Sequence, residues 1–192
     1  MTSRMTPLLE YNEKFARTFT PVPLGVPAAR VIVITCLDHR VDPAIVLGLQ
    51  LGDAPVLRNA GGRVTQAVIE EIAYLAYLGR RLAGGTLTGD AGVEVAVIHH
   101  TQCGTGFLDD PDFRREASLV TGVDEDTLQA SAVADPATTV TADVERLLSS
   151  PLLPATTSVS GHVYDPDTGR VSTVVDARQR APIPPNSRPR SI

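Results

Sequence analysis

The stretch VIVITCLDHR, residues 31–40, decides the fold prediction and raises the first question about function. Its first five residues are all β-branched, which is typical of a strand that is covered on both faces of a parallel sheet. The run then ends in Cys36, Asp38, His39 and Arg40, so a thiol, a carboxylate, an imidazole and a guanidinium lie close together. Because ligand sites in open α/β sheets lie at the carboxyl ends of strands, this strand end is the first candidate site.

The segments after this stretch repeat the pattern of a strand followed by a helix. APVLRNAGG (54–62) predicts a second strand that runs into a glycine turn, and VEVAVIHH (93–100) predicts a third buried strand. Between them, apolar residues spaced three or four apart predict a helix from Val64 to Leu78, stopped at Gly79. Further helices are predicted within 41–53, 109–122 and 138–148, and two strands around the turn DPDTG within 157–176. This alternation predicts an α/β fold with a mainly parallel central sheet and helices on both faces.

Composition divides the chain into three parts. Residues 1–28 are predicted to be an N-terminal arm, in which PLLEYNEKFARTF forms a short helix before the breakers TPVPLGVP. Residues 29–176 are predicted to form a single α/β domain. Residues 177–192 are rich in proline and arginine, and we expect them to be a flexible tail. The candidate packing residues of the arm are Leu8, Leu9, Phe15 and Phe19.

The overall charge and hydropathy exclude several classes of function. The formal net charge of −5 argues against a general binder of nucleic acid or of anionic membranes. No apolar run reaches the length of a membrane span, and MTSRMTPLLEYNEKF lacks the apolar segment of a signal peptide. We therefore expect a cytoplasmic protein with a small-molecule substrate and with neither nucleic acid nor membrane as a partner.

The two cysteines of the chain both follow predicted strands. Cys36 ends the first strand, and Cys103 follows the third in HHTQCG (99–104). Two thiolates and one imidazole suit zinc, and three protein ligands with an open fourth position are typical of a catalytic zinc site. Spacing alone allows either His99 or His100 as the nitrogen ligand. The alternatives are two inert buried thiols, or a metal-free redox protein with a reversible Cys36–Cys103 disulfide.

Asp38 and Arg40 have a natural role beside such a metal. If extended geometry continued past the strand, Cys36, Asp38 and Arg40 would share one side of the chain. Arginine can hold a carboxylate through two hydrogen bonds, which keeps the carboxylate ionised. The carboxylate could then accept a hydrogen bond from a zinc-bound hydroxide and orient it. An ordinary surface ion pair is the alternative.

These residues together resemble a known family. Cys36-Leu37-Asp38-His39-Arg40 and His100-Thr101-Gln102-Cys103 resemble the Cys-x-Asp-x-Arg and His-x-x-Cys signatures of the β-class carbonic anhydrases, and VLRNAGG (56–62) is similar to a stretch beside their active site. The chain most resembles the compact branch of the family, which also includes carbonyl sulfide hydrolases. The resemblance implies one Zn²⁺ per chain, held by Cys36, His100 and Cys103. It also implies that Asp38 and Arg40 form a catalytic pair. The implied substrate pocket is lined by Asn59, Ala60, Gly61 and Gly62.

The resemblance also implies an activity and an assembly. The expected reaction is the reversible hydration of carbon dioxide to bicarbonate by zinc-bound hydroxide, which makes the protein a zinc-dependent lyase. Hydrolysis of carbonyl sulfide or carbon disulfide at the same zinc site is the alternative. The expected assembly is a homodimer or a larger homo-oligomer. Two residues depart from the common pattern: His39 stands where a small residue is usual, and Thr105 replaces the second glycine of Cys-Gly-Gly.

Overall fold

The computed structural model describes residues 3–84 and 93–180. Two short 3₁₀ turns are present, at Ala60–Gly62 and at Gly104–Asp109. In the described ranges the helices are α1 (Thr6–Ala16), α2 (Pro43–Val46), α3 (Gln66–Leu82), α4 (Pro111–Thr121), α5 (Glu125–Ala130) and α6 (Pro136–Ser149). The strands are β1 (Val31–Cys36), β2 (Val56–Asn59), β3 (Glu94–His100), β4 (Ser158–Asp165) and β5 (Arg170–Gln179).

One sheet of five strands organises the fold. The strand order is β2-β1-β3-β4-β5, and only the last pair, β4 with β5, is antiparallel. The predicted α/β fold with a mainly parallel central sheet is therefore confirmed. In the parallel part, Cys36 pairs with Asn59 and His100 pairs with Tyr164, so the carboxyl ends of these strands meet at one edge of the sheet.

Two apolar clusters lie on opposite faces of the sheet. Ile32 and Ile34 of β1 pack with apolar residues of α3 and α6, while Val33, which points the other way, packs with residues that include Val46 of α2. This alternation along β1 is what the β-branched run requires, because successive strand side chains point to opposite faces. Each face thus carries helical residues. No helix among the described residues combines the length and the apolarity that a bilayer crossing requires.

Two predicted helices differ in length from those in the structure. α3 continues through Gly79 to Leu82, because Gly79 keeps helical geometry and the chain turns only at Gly84, whose φ is +71°. α2 spans only four residues of the predicted 41–53 segment. Gly48 has a φ of +69° just beyond its end, which is a conformation that a right-handed helix cannot include.

The two ends of the chain differ in part from the prediction. α1 forms, but the arm residues predicted to pack are exposed: Leu8, Leu9, Phe15 and Phe19 keep between 42% and 59% of their surface open. β5 continues past the predicted domain end at residue 176, because its strand pairing extends to Gln179 opposite Ser158. The last twelve residues of the predicted tail, 181–192, lie outside the described ranges, and so do residues 85–92 of the segment AGGTLTGDAG (83–92), which the sequence predicts to be a loop.

Candidate metal centre

The two cysteines and one histidine meet at the carboxyl edge of the sheet. Cys36 is the last residue of β1, His100 is the last of β3, and Cys103 follows after a short loop. All three are buried, and their ligand atoms lie within 4.8 Å of one another. The two sulfurs are 3.8 Å apart. Two thiolates at the usual distance from one tetrahedral zinc ion would be separated by about 3.8 Å, so the spacing fits zinc.

The protonation of His100 also suits a metal ligand. Its Nδ1 lies 2.8 Å from the carbonyl oxygen of Thr101, so Nδ1–H donates and Nε2 carries the free lone pair. That Nε2 is buried and has no hydrogen-bond partner among the described residues. Because a buried polar atom without a partner is costly, an ion between Nε2 and the two sulfurs would satisfy it.

His99 points to the opposite face of β3. Its Nδ1 lies 2.8 Å from the hydroxyl of Thr139, and its Nε2 lies 3.3 Å from the carboxylate of Asp143. The structure thus groups His100, and not His99, with the two cysteines. Strand alternation separates two histidines that spacing along the sequence could not distinguish.

The pKa values of the two thiols are shifted in opposite directions. The pKa of Cys103 is lowered, first because Cys36 donates a hydrogen bond to it and further through the hydroxyl of Thr105. The pKa of Cys36 is raised for the same reason, and burial adds to that shift. One thiolate is therefore readily formed, and a bound cation would favour loss of the second proton.

Asp38 and Arg40 form a closed pair beside the cluster. The Arg40 side chain donates to both carboxylate oxygens, with Nε 3.0 Å from Oδ1 and Nη2 2.7 Å from Oδ2. These hydrogen bonds hold the pKa of Asp38 well below its ordinary value. The same carboxylate lies 3.9 Å from Nε2 of His100. An ionised oxygen acceptor is thus fixed next to the candidate ligands.

Arg58 clamps the turn that carries this pair, a role that the sequence did not indicate. Its Nε donates to the carbonyl oxygen of Cys36 at 3.0 Å, and its Nη2 donates to that of Asp38 at 2.7 Å. It also forms an ion pair with Asp42. Arg58 sits opposite Thr35 in the pairing of β2 with β1, so only strand register could have revealed the contact.

The glycine turn brings the main chain against Cys36. Gly61 and Gly62 have φ values of +76° and +68°, and a Cβ on Gly62 would lie 2.8 Å from the main-chain nitrogen of Cys36. Only glycine fits such a position without strain. The Asn59 side chain closes the turn, because it accepts from the main-chain N–H of Arg63 and donates to its carbonyl oxygen, both at 2.8 Å. Ala60 begins the 3₁₀ turn between them.

A buried ion pair anchors the far end of this turn. Arg63 donates to both carboxylate oxygens of Asp143 in α6, at 2.7 and 3.2 Å, and to the carbonyl oxygen of Ala132 at 2.7 Å. Burial alone would raise the pKa of Asp143, but hydrogen bonds from His99 and Arg63 hold it below the ordinary value. The pair joins residues 80 positions apart, so no local pattern could have revealed it.

The β4–β5 turn supports the loop between His100 and Cys103. Gln102 has a φ of +55°, which is unusual for a residue with a side chain. Its side chain donates to Asp167 at 2.5 Å, and Thr101 donates to Asp165 at 3.2 Å. The carbonyl oxygen of Gln102 accepts from Arg40 at 2.9 Å. The turn thereby helps to orient the guanidinium that holds Asp38.

A parallel α/β sheet with a buried thiolate–imidazole–thiolate cluster at its edge defines a candidate zinc protein, and comparison with known proteins places it in a family. The family model described as carbonic anhydrase matches residues 31–171. Beta-carbonic anhydrase 1 of Mycobacterium tuberculosis is 32% identical over 167 residues, which are 86% of this chain and 94% of the relative. The chain therefore belongs to the β-class carbonic anhydrase family, which confirms the resemblance noted in its sequence.

Two further comparisons bear on the activity. A crystal structure of carbonic anhydrase from Streptococcus mutans superposes with a TM-score of 0.73 at 33% identity, covering 91% of this chain and 99% of that one. A carbon disulfide hydrolase from an Acidianus strain is 30% identical over 171 residues, which are 77% of this chain and 78% of the relative. The relatives thus include both carbonic anhydrases and hydrolases, and all of those named here are enzymes.

Proposed function

We propose that this chain is a zinc-dependent carbonic anhydrase that hydrates carbon dioxide reversibly to bicarbonate. The observation that carries the proposal is the buried group of Cys36, His100 and Cys103, with the ionised pair of Asp38 and Arg40 directly beside it. The match to a mycobacterial carbonic anhydrase over nearly the whole of that relative adds support.

In this proposal the three buried residues hold one Zn²⁺ per chain. When bound, zinc supplies the Lewis acidity that makes a water molecule a nucleophile near neutral pH. The chain contributes two anionic ligands and one neutral ligand, which leave room for one more. The hydrogen bond from Nδ1 of His100 to Thr101 fixes the imidazole orientation for this task.

Asp38 and Arg40 act as the catalytic pair. Since Arg40 occupies both oxygens of Asp38 and keeps the carboxylate ionised, Asp38 can only accept hydrogen bonds. It is therefore suited to accept a hydrogen bond from a water or from bicarbonate at the open position near His100, and so to orient the reacting oxygen. A protonated carboxyl group could also donate a hydrogen bond, and would then no longer hold the reacting oxygen in one orientation.

The glycine turn would form the substrate pocket. The main chain from Asn59 to Gly62 lies against Cys36, so larger side chains in this turn would block access to this candidate metal ligand. The side chain of Asn59 is engaged with Arg63, so we assign it to shaping the pocket.

Hydrolysis of carbonyl sulfide or carbon disulfide is the second candidate function. It is favoured by the carbon disulfide hydrolases among the relatives, at up to 30% identity. These match over 77% of this chain, whereas the mycobacterial carbonic anhydrase matches over 86%. For this reason we place the lyase activity first.

Parallel assays of the purified zinc-loaded protein distinguish the two activities. We expect rapid proton release from carbon dioxide in a stopped-flow assay, and much slower sulfide release from carbonyl sulfide or carbon disulfide. The Cys36→Ser variant, which should hold no zinc, serves as the control for uncatalysed hydration. Rapid sulfide release without carbon dioxide hydration would overturn the first assignment in favour of the hydrolase.

We also propose that the chain forms a homodimer, located in the cytoplasm. The arm supports the dimer, because Leu8, Leu9 and Phe15 are exposed and need a partner surface. The edge strand β2 also presents an exposed Val56. Sedimentation velocity should give about twice the chain mass of 20.4 kDa, and deletion of residues 1–20 should lower it. A monomer at all concentrations would contradict the dimer.

A further inference from the structure

We propose that Thr105 is a positioning residue that tunes the Cys103 thiolate through a hydrogen bond. The inference rests on the proposed metal site and concerns how that site is adjusted. The hydroxyl oxygen of Thr105 lies 3.1 Å from the sulfur of Cys103. Cys103 keeps only 8% of its surface exposed, so the hydroxyl meets a sulfur that is nearly closed to solvent.

The direction of this hydrogen bond follows from the chemistry of the ligand. A thiolate carries no proton, so in the metal-bound protein the hydroxyl of Thr105 must be the donor and the sulfur of Cys103 the acceptor. The position of the hydroxyl is constrained as well. The hydroxyl lies in the 3₁₀ turn that begins directly after Cys103. It packs against Gly61, since a Cβ on that glycine would lie 3.1 Å from the hydroxyl oxygen.

The two sulfurs of the site have different partners. The Cys36 sulfur accepts from main-chain N–H groups, that of Asp38 at 3.4 Å and that of Gly61. The Cys103 sulfur accepts from the main-chain N–H of Thr105 and, in addition, is contacted by the hydroxyl of the same residue, which a single substitution can remove. Thr105 stands where the family pattern commonly has glycine, and a glycine could not supply this bond.

A hydrogen bond to a thiolate ligand changes what the ligand gives to the metal. The donor draws electron density from the sulfur, so the thiolate donates less to the metal and the metal keeps more of its Lewis acidity. Two thiolates already cancel the charge of Zn²⁺. Weaker electron donation by one of these thiolates therefore has a larger effect on the metal here than a comparable change at a site with three neutral histidines.

Cobalt substitution tests the inference by a readout that does not depend on turnover. In the Co²⁺-loaded protein, the thiolate-to-metal charge-transfer bands report the electron density on the sulfurs. We expect Thr105→Val, which has nearly the same shape and no hydroxyl, to move these bands to longer wavelength. Thr105→Ala should shift them in the same way, and Thr105→Ser, which keeps the hydroxyl, should leave them in place.

The outcomes separate this inference from the proposed function. Unchanged bands in both Thr105→Val and Thr105→Ala, or an equal shift in Thr105→Ser, would overturn the role of Thr105 and leave the enzyme proposal intact. The expected shift in a protein that does not hydrate carbon dioxide would support the role of Thr105 and overturn the activity. If wild-type protein showed no thiolate bands, both would fail. In zinc-loaded protein we expect a loss of kcat of about tenfold for Thr105→Val.

Discussion

Cys36→Ser should release the metal and abolish turnover. The wild-type chain should bind about one zinc ion, whereas the variant should retain less than about a tenth of that after dialysis, because a serine hydroxyl is a poor zinc ligand at neutral pH. Cys36 lies at the end of a buried strand, 3.8 Å from the other sulfur, and its replacement leaves only two of the three candidate ligands. Elemental analysis of purified protein measures the effect, together with the hydration rate.

A pair of histidine variants controls for unspecific damage to the site. His100→Ala should lose zinc as Cys36→Ser does, because it removes the third ligand. His39→Ala should keep zinc, since the His39 side chain is 93% exposed and lies outside the cluster. Full zinc content in Cys36→Ser would show that the metal is bound elsewhere. Equal loss of zinc in both histidine variants would show that the loss reflects general damage to the site and not removal of a ligand.

Asp38→Ala and Arg40→Ala should keep the zinc and lose most of the turnover. Asp38 is the fixed hydrogen-bond acceptor beside the ligands, and Arg40 holds it through two hydrogen bonds. We expect kcat to fall by about a hundredfold or more for Asp38→Ala, in the range found when a positioned catalytic side chain is removed. An ordinary aspartate is already ionised at neutral pH, so the loss in Arg40→Ala would come from lost orientation and not from protonation.

An exposed ion pair provides the matched control for these variants. Arg115 lies 2.9 Å from Asp112 in α4, with both side chains more than half exposed. Asp112→Ala and Arg115→Ala remove the same kinds of charge far from the metal site, and should leave turnover and zinc content unchanged. Full activity in either Asp38→Ala or Arg40→Ala would refute the catalytic pair. Loss of zinc in these variants would assign them a structural role instead.

The main features of the fold and the site could be predicted because they depend on local patterns. A β-branched run predicts a buried strand, and parallel strands bring their carboxyl ends to one edge. Cys36 and His100 therefore had to lie near each other once β1 and β3 were adjacent. The departures were also local: α3 ends at Leu82, just before Gly84, and not at Gly79, since a glycine stops a helix only where the chain adopts a positive φ.

The supporting contacts could not be predicted because they join distant segments. Arg58 reaches Cys36 and Asp38 only through the register of β2 with β1. Arg63 meets Asp143 across 80 positions. The choice of His100 over His99 came from the family resemblance, because spacing alone does not give the orientation of β3. The apolar residues of α1 predicted packing, yet none of the residues of this helix is buried in the structure.

X-ray absorption at the zinc edge of the purified protein tests the central claim most directly. The account predicts two sulfur neighbours at about 2.3 Å, one imidazole nitrogen at about 2.0 Å and one further light atom. A protein without zinc in which Cys36 and Cys103 are joined by a disulfide would contradict it, and so would a zinc ion surrounded only by oxygen and nitrogen.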